Sequence, residues 1–128
     1  MQKERHIILI DGDHDYPWSG ILKDSLNPSD MLDFCNEDNV IAQITQRSYD
    51  LIIVDAAAVS SVPLLISRIR MKHNDARIMI VTNSPTWRRA REAFQAGATD
   101  YVQKSLDKKE TILSIQTALK KTPPAWPR

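Results

Sequence analysis

Four residues stand at the ends of short aliphatic runs and share a chemistry. Asp11 follows Ile7-Ile8-Leu9-Ile10, Asp55 follows Leu51-Ile52-Ile53-Val54, Thr82 follows Ile78-Met79-Ile80-Val81, and Lys104 follows the stretch Thr99 to Gln103. Two carboxylates in a partly desolvated cleft repel each other unless a cation sits between them. A hard divalent ion such as Mg²⁺ suits that gap, because it takes carboxylate oxygens and retains several waters. Thr82 adds a hydroxyl and Lys104 a point positive charge, both suited to an anionic group arriving at the metal. The chemistry so assembled is phosphoryl transfer. Taken singly, each residue has a plainer role. Asp at a strand end commonly closes a turn, Asp11-Gly12 is a turn dipeptide, threonine is at home in strands and lysine is usually a solvated charge. The weight lies in all four falling at corresponding ends of successive elements.

Those elements read clearly. The runs at Ile7 to Ile10, Leu51 to Val54 and Ile78 to Val81 are uniformly apolar and too short for helices, as expected of strands covered on both faces. Met31 to Cys35 and Thr99 to Gln103 bring the predicted strands to five. Between them lie helical stripes: Trp18, Ile21, Leu22 and Leu26; Val40, Ile41 and Ile44; Val62, Leu65, Ile66 and Ile69; Ile112, Ile115 and Leu119. The fourth helix is predicted to start at Ser84-Pro85, with serine as N-cap and proline first in the helix, and to end at Gly97. Asp107 and Glu110 predict a capping box at the start of the last helix. The pattern is strand then helix, five times over, an α/β domain. Right-handed crossovers make it a doubly wound parallel sheet, for which 2-1-3-4-5 is a common strand order. Ligands then bind beyond the carboxyl ends, where the first and third strands adjoin.

Composition narrows the function classes. The chain has 128 residues, with 17 basic against 16 acidic side chains and a net charge of +1, so it lacks the strongly basic footprint of a dedicated nucleic-acid binder. Arg88, Arg89 and Arg91 read as a solvated helix face. The single cysteine, Cys35, excludes an intramolecular disulfide and a multi-thiolate metal site, which fits a reducing compartment. The first apolar run is too short for a signal-peptide core or a membrane span, so a soluble, cytoplasmic chain is expected. Asp11, Asp13 and Asp15 alternate as in a calcium loop, but Tyr16 and Leu22 occupy the positions needing Gly and Glu, and that reading fails. His14 reads as a solvated loop residue and Trp18 as a core anchor.

Ile7-Ile-Leu-Ile-Asp11, Tyr49-Asp-Leu-Ile-Ile-Val-Asp55, Ile78-Met-Ile-Val-Thr82 and Ala96-Gly-Ala-Thr-Asp-Tyr-Val-Gln-Lys104 together resemble the receiver domain of bacterial two-component response regulators, from about residue 5 to 120. The resemblance implies a flavodoxin-like (βα)5 fold. It implies that Asp55 accepts a phosphoryl group from a phosphohistidine of a sensor histidine kinase or phosphotransfer protein, with Mg²⁺ required. Thr82 and Lys104 then hold phosphoryl oxygens, and Asp11, Asp55 and the carbonyl of Ala57 match the metal ligands. Tyr101 matches the aromatic switch. The fourth helix, fifth strand and fifth helix form the output face, read by a downstream protein or by a second copy in a homodimer. Such a domain is a phosphoacceptor signalling module rather than an enzyme, with self-phosphorylation from small phosphodonors within its chemistry, and contacts neither nucleic acid nor membrane directly.

Three departures qualify the resemblance. Gly12 stands where the family usually carries a second acidic residue, so Mg²⁺ binding is expected to be weak unless Asp13 swings in through glycine's backbone freedom. Lys104-Ser105 replaces a common Lys-Pro, which favours a trans bond. Asn83 is larger than the residue usual beside the switch threonine. Two alternatives follow: a degenerate receiver that docks proteins without phosphorylation, and a haloacid-dehalogenase-like phosphohydrolase with Asp11 as nucleophile and Asp13 as general acid. The second lacks a later acidic pair and leaves Asp55 unexplained. The receiver is expected to span 1–121, with the Pro-rich 122–128 as a tail or linker stub. No output domain is expected within this length, so the signal leaves by protein contact.

Overall fold

Uniformly apolar strands require helices on both faces of the sheet, and the fold supplies them. The computed structural model describes residues 4–11 and 16–121. Strands β1 (His6–Ile10), β2 (Met31–Cys35), β3 (Leu51–Asp55), β4 (Ile78–Thr82) and β5 (Asp100–Gln103) alternate with helices α1 (Tyr16–Ser25), α2 (Val40–Gln46), α3 (Val62–Lys72), α4 (Trp87–Ala96) and α5 (Lys108–Lys120). The sheet order is β2-β1-β3-β4-β5, every pairing parallel, as the sequence predicts. Strand β5 starts one residue later than predicted, because Thr99 turns its hydroxyl onto Ile78 N and O at 3.0 Å instead of joining the strand.

Alternation divides the core into two layers. Ile8, Ile10, Ile52, Val54, Ile78 and Ile80 pack against Val40, Ile44, Leu65, Ile66, Ile69 and Ala93 of α2, α3 and α4. Ile7, Leu9, Leu51, Ile53, Met79 and Val81 point the other way, onto Trp18, Leu22, Ile115 and Ala118 of α1 and α5. Each such aliphatic side chain contributes about 1.5–3 kcal/mol of transfer free energy. Of the predicted helix stripes, Leu22, Val40, Ile44, Leu65, Ile66, Ile69 and Ile115 are buried, while Ile21, Leu26, Ile41, Val62, Ile112 and Leu119 are partly exposed; Trp18 is a core anchor at 4% exposure.

Two helix starts differ from expectation. Helix α4 begins at Trp87, capped by Thr86, whose Oγ1 accepts the N–H of Arg89 at 3.1 Å. Ser84 does not cap it: its own N–H donates to Thr82 Oγ1 at 3.1 Å, which keeps 83–85 as a loop over the end of β4. At α5, Asp107 does cap, accepting from Lys109 N at 2.8 Å, but Glu110 does not return to the Asp107 N–H. The hydroxyl of Ser105 stands between them, donating to Glu110 Oε2 at 2.6 Å and accepting from Asp107 N at 3.0 Å. No cis peptide bond occurs among the described residues, so Lys104-Ser105 is trans as expected.

Gly97 ends α4 as predicted, with φ 122°, a backbone region that side chains avoid. Its carbonyl accepts from Nε and Nη2 of the buried Arg70, which also donates from Nη1 to Asn74 O at 3.0 Å. A Cβ on Gly97 would lie 2.8 Å from Arg70 Nε. Gly97→Ala is expected to destabilise the fold by about 1–3 kcal/mol, from left-handed strain and a displaced guanidinium, read as a lower urea midpoint at unchanged slope. An unchanged midpoint would refute this account of the α3–α4 junction.

Cys35, at the end of β2, has its thiol pushed up from 9.0 to about 11 by burial and by the Asp33 carboxylate. Because the folded value exceeds the unfolded one, this contribution to stability is intact below about pH 9 and is lost as pH rises toward 11. At pH 8 the folded thiol is expected to react with a disulfide reagent about tenfold more slowly than in the urea-unfolded chain, after the thiolate deficit is set against greater nucleophilicity. Equal rates would refute it.

Candidate functional site

The ladders fix where the chemistry-bearing residues stand. Ile10 pairs with Val54, so Asp11 and Asp55 follow side by side at the ends of β1 and β3. The N–H of Asp11 donates to Cys35 O at 2.9 Å, extending the pairing with β2 by one step. Lys104 N donates to Thr82 O at 2.9 Å and so extends the β4–β5 pairing. Alternation places Asp55 on the face of the sheet shared with α1 and α5, and Thr82 and Tyr101 on the face shared with α3 and α4.

At the centre is an ion pair. Lys104 Nζ lies 2.6 Å from Asp55 Oδ2, with the two side chains 5% and 8% exposed. The other carboxylate oxygen, Oδ1, accepts from Ala57 N at 3.1 Å, because the chain turns directly into a short 3-10 turn over Ala56–Ala58. Burying two charges costs several kcal/mol per ion before their attraction is counted, so the pair is a poor device for stability alone. It places a carboxylate, an ammonium and a backbone N–H around one point at the mouth of the sheet.

Thr82 closes β4, buried at 7% exposure, its hydroxyl accepting from Ser84 N. Asn83 beside it is exposed. Tyr101 lies on β5 two residues before the register partner of Thr82, half-buried against the α2–α3–α4 core. Its ring borders a cleft of about 390 Å³ between the β3–α3 connection and α4, with Val59, Val62 and Arg89. The structure thus brings Asp55 and Lys104 into contact, sets Asp11 beside Asp55, and puts Thr82 and Tyr101 along one face. Gly12, Asp13 and His14 lie outside the described residues, as does the tail from Thr122.

Two features were not read from the sequence. The donation from Ala57 N to Asp55 was legible in principle, since Asp commonly bonds a backbone amide two residues on. The position of Trp18 under the Lys104 ammonium, 5.6 Å from ring centroid to Nζ, was not. On α4, Arg88 is 90% exposed and pairs with Glu92 at 3.4 Å, in keeping with a solvated basic face.

A doubly wound parallel sheet in the order 2-1-3-4-5 defines a flavodoxin-like domain, whose topological switch point falls between β1 and β3, where Asp11 and Asp55 stand. The sequence profile of the response regulator receiver domain matches residues 8–116, so the chain belongs to that family, a module of two-component signalling. Solved structures agree in fold. HP1043, an orphan response regulator of H. pylori, superposes with a TM-score of 0.77 at 24% identity, over 91% of this chain and 97% of that one. A response regulator from Thermotoga maritima gives 0.82 at 17%, over 93% and 100%. A CheY-like receiver domain protein from Methanospirillum hungatei gives 0.76 at 16%, over 91% and 94%. No curated protein matches the sequence. No helix among the described residues is long and apolar enough to cross a membrane.

Proposed function

We propose that Asp55 is the phosphoacceptor of this receiver. A carboxylate oxygen of Asp55 attacks the phosphorus of a phosphohistidine on a sensor histidine kinase or phosphotransfer protein. The P–N bond breaks, the histidine leaves with the bonding pair, and an acyl phosphate remains on Asp55. The observation that carries this reading is the buried contact of Lys104 Nζ with Asp55 Oδ2 at 2.6 Å, which holds a positive charge where phosphoryl oxygens arrive. Thr82, at the end of the neighbouring strand β4, accepts from Ser84 N and keeps its own O–H to donate to another phosphoryl oxygen. Tyr101, behind it on the same face, then turns inward, and the surface of α4, β5 and α5 carries the change to a downstream protein or a second copy.

The donor set suits Mg²⁺. Asp11 and Asp55 supply two carboxylates side by side, and the Ala57 carbonyl a neutral oxygen, while among the described residues no group of three metal-binding side chains forms. That is a shortfall an ion that keeps its waters tolerates, with Asp13 the candidate to make it up. When bound, the ion neutralises charge between acceptor and donor. With Gly12 in place of a second acid, half-saturation is expected at a higher Mg²⁺ concentration than two acids would give. We read residues 1–121 as the domain, 122–128 as tail or linker, the setting as cytoplasmic and the output as protein contact.

Intact-mass analysis after incubation with acetyl phosphate, with Mg²⁺ or with chelator, is expected to show one added phosphoryl group that depends on metal. Gly12 favours a second reading, a phosphorylation-independent docking module. No adduct at saturating Mg²⁺ would decide for it.

A further inference from the structure

A buried ammonium needs more than one partner. Lys104 is 5% exposed, and Asp55 takes one of its N–H directions. On another side lies the indole of Trp18, with Nζ 5.6 Å over the ring centroid. That ring is itself 4% exposed and belongs to the buried cluster that includes Leu22 on its own helix, Met79 and Val81 on β4, and Ile115 and Ala118 on α5. It is a fixed surface and not a side chain folded over the site from solvent.

An aliphatic residue at position 18 would also be at home in the core but would offer the ammonium no attraction of its own. The indole face carries a partial negative charge and attracts the cation at this distance. We infer that Trp18 is a positioning residue: its ring holds the Lys104 ammonium at the acceptor carboxylate, so that the cation is already in place when a phosphoryl group reaches Asp55. The consequence for transfer rests on the phosphoacceptor reading; the contact with Lys104 does not. Without the ring's attraction the flexible lysine stem samples positions away from Asp55, and part of the pre-organisation of the site is lost.

The test keeps the shape of residue 18 nearly constant and changes chiefly the charge of its ring face. The tryptophans are Trp18, Trp87 and Trp126, so Trp87→Phe with Trp126→Phe leaves Trp18 alone. In that full-length chain, tryptophan is replaced biosynthetically by analogues of increasing fluorine content, which drain the ring face of negative charge. Two quantities are read against the unfluorinated chain of the same background: the ¹H–¹⁵N signal of the Lys104 ammonium, and the initial rate of phosphoryl adduct formation from acetyl phosphate with Mg²⁺. Circular dichroism checks the fold. The expected result is a stepwise shift of the ammonium signal with faster exchange to water, and a rate that falls about three- to tenfold at the highest fluorination. A ring that only fills space leaves the rate unchanged and moves the ammonium signal through its altered ring current alone, with no faster exchange to water. If both stay constant, or if the signal moves and the rate does not, the positioning role is overturned. If the unfluorinated chain takes no phosphate at all while the signal still responds, the ring's hold on Lys104 stands and the phosphoacceptor reading falls.

Discussion

Replacing Asp55 with asparagine is expected to abolish the phosphoryl adduct, whereas Asp11→Asn is expected to lower its yield at limiting Mg²⁺ and leave it detectable at saturating Mg²⁺. Asparagine keeps the shape of Asp55 and can still accept from Ala57 N, which the native Oδ1 does at 3.1 Å. Its amide offers no carboxylate oxygen to attack phosphorus, so the acyl phosphate cannot form. The substitution also removes the carboxylate charge 2.6 Å from Lys104 Nζ, and a stability loss of about 1–3 kcal/mol in a urea titration is expected beside the chemical loss. Asp11 stands next to Asp55 by register, and with Asp55 proposed as the acceptor, removal of Asp11 is expected to act through the metal requirement. A phosphohydrolase with Asp11 as nucleophile demands the reverse pattern, adduct lost in Asp11→Asn and kept in Asp55→Asn. Peptide mapping of the labelled chain, with both variants run beside the native protein, separates the two.

Much of this was legible because the fold is built from runs too short and too apolar to be anything but buried strands. Ile7 to Ile10 and Leu51 to Val54 are buried on both faces, and that alone calls for helices on each side. The strand-end residues follow: once the strands are parallel, Asp11, Asp55, Thr82 and Lys104 must come out at one edge. What escaped the sequence depended on choices that only tertiary contacts make. Ser84 and Thr86 are equally good caps on either side of Pro85, and the choice between them follows from the Thr82 hydroxyl engaging the Ser84 amide. Glu110 is three residues past Asp107, as a capping box asks, but Ser105 sits nearer to both. Trp18 was legible as core because a helix stripe reports burial. The stripe does not report which strand end the ring will meet, and the contact with Lys104 exists only because α1 and the end of β5 share one face of the sheet.

The second large effect concerns Lys104 itself. Lys104→Met is expected to cost about 2–4 kcal/mol of stability in metal-free buffer, because removing one partner of a buried pair leaves the other charge without its counter-ion. Methionine approximates the lysine stem in length and can lie against the Trp18 ring, so little packing is lost and the deficit measures charge. The carboxylate left behind, 8% exposed and beside Asp11, then makes a more negative strand-end cluster than the native one. A divalent cation should bind that cluster more tightly, and an ion that binds only the folded state stabilises it by RT ln(1 + [L]/Kd). Millimolar Mg²⁺ is therefore expected to restore much of the variant's stability while shifting the native protein far less. Restored stability should not restore transfer. Phosphoryl adduct formation is expected to stay about a hundredfold slow, since the pre-placed cation facing the incoming phosphoryl oxygens is gone. Urea titrations of both chains, with Mg²⁺ and with chelator, check the first claim, and initial adduct rates at saturating Mg²⁺ check the second. A variant as stable as the native chain without metal would show that the Lys104–Asp55 pair carries no electrostatic weight. A variant rescued by Mg²⁺ in both stability and rate would show that the lysine merely balances charge and has no part in receiving the phosphoryl group.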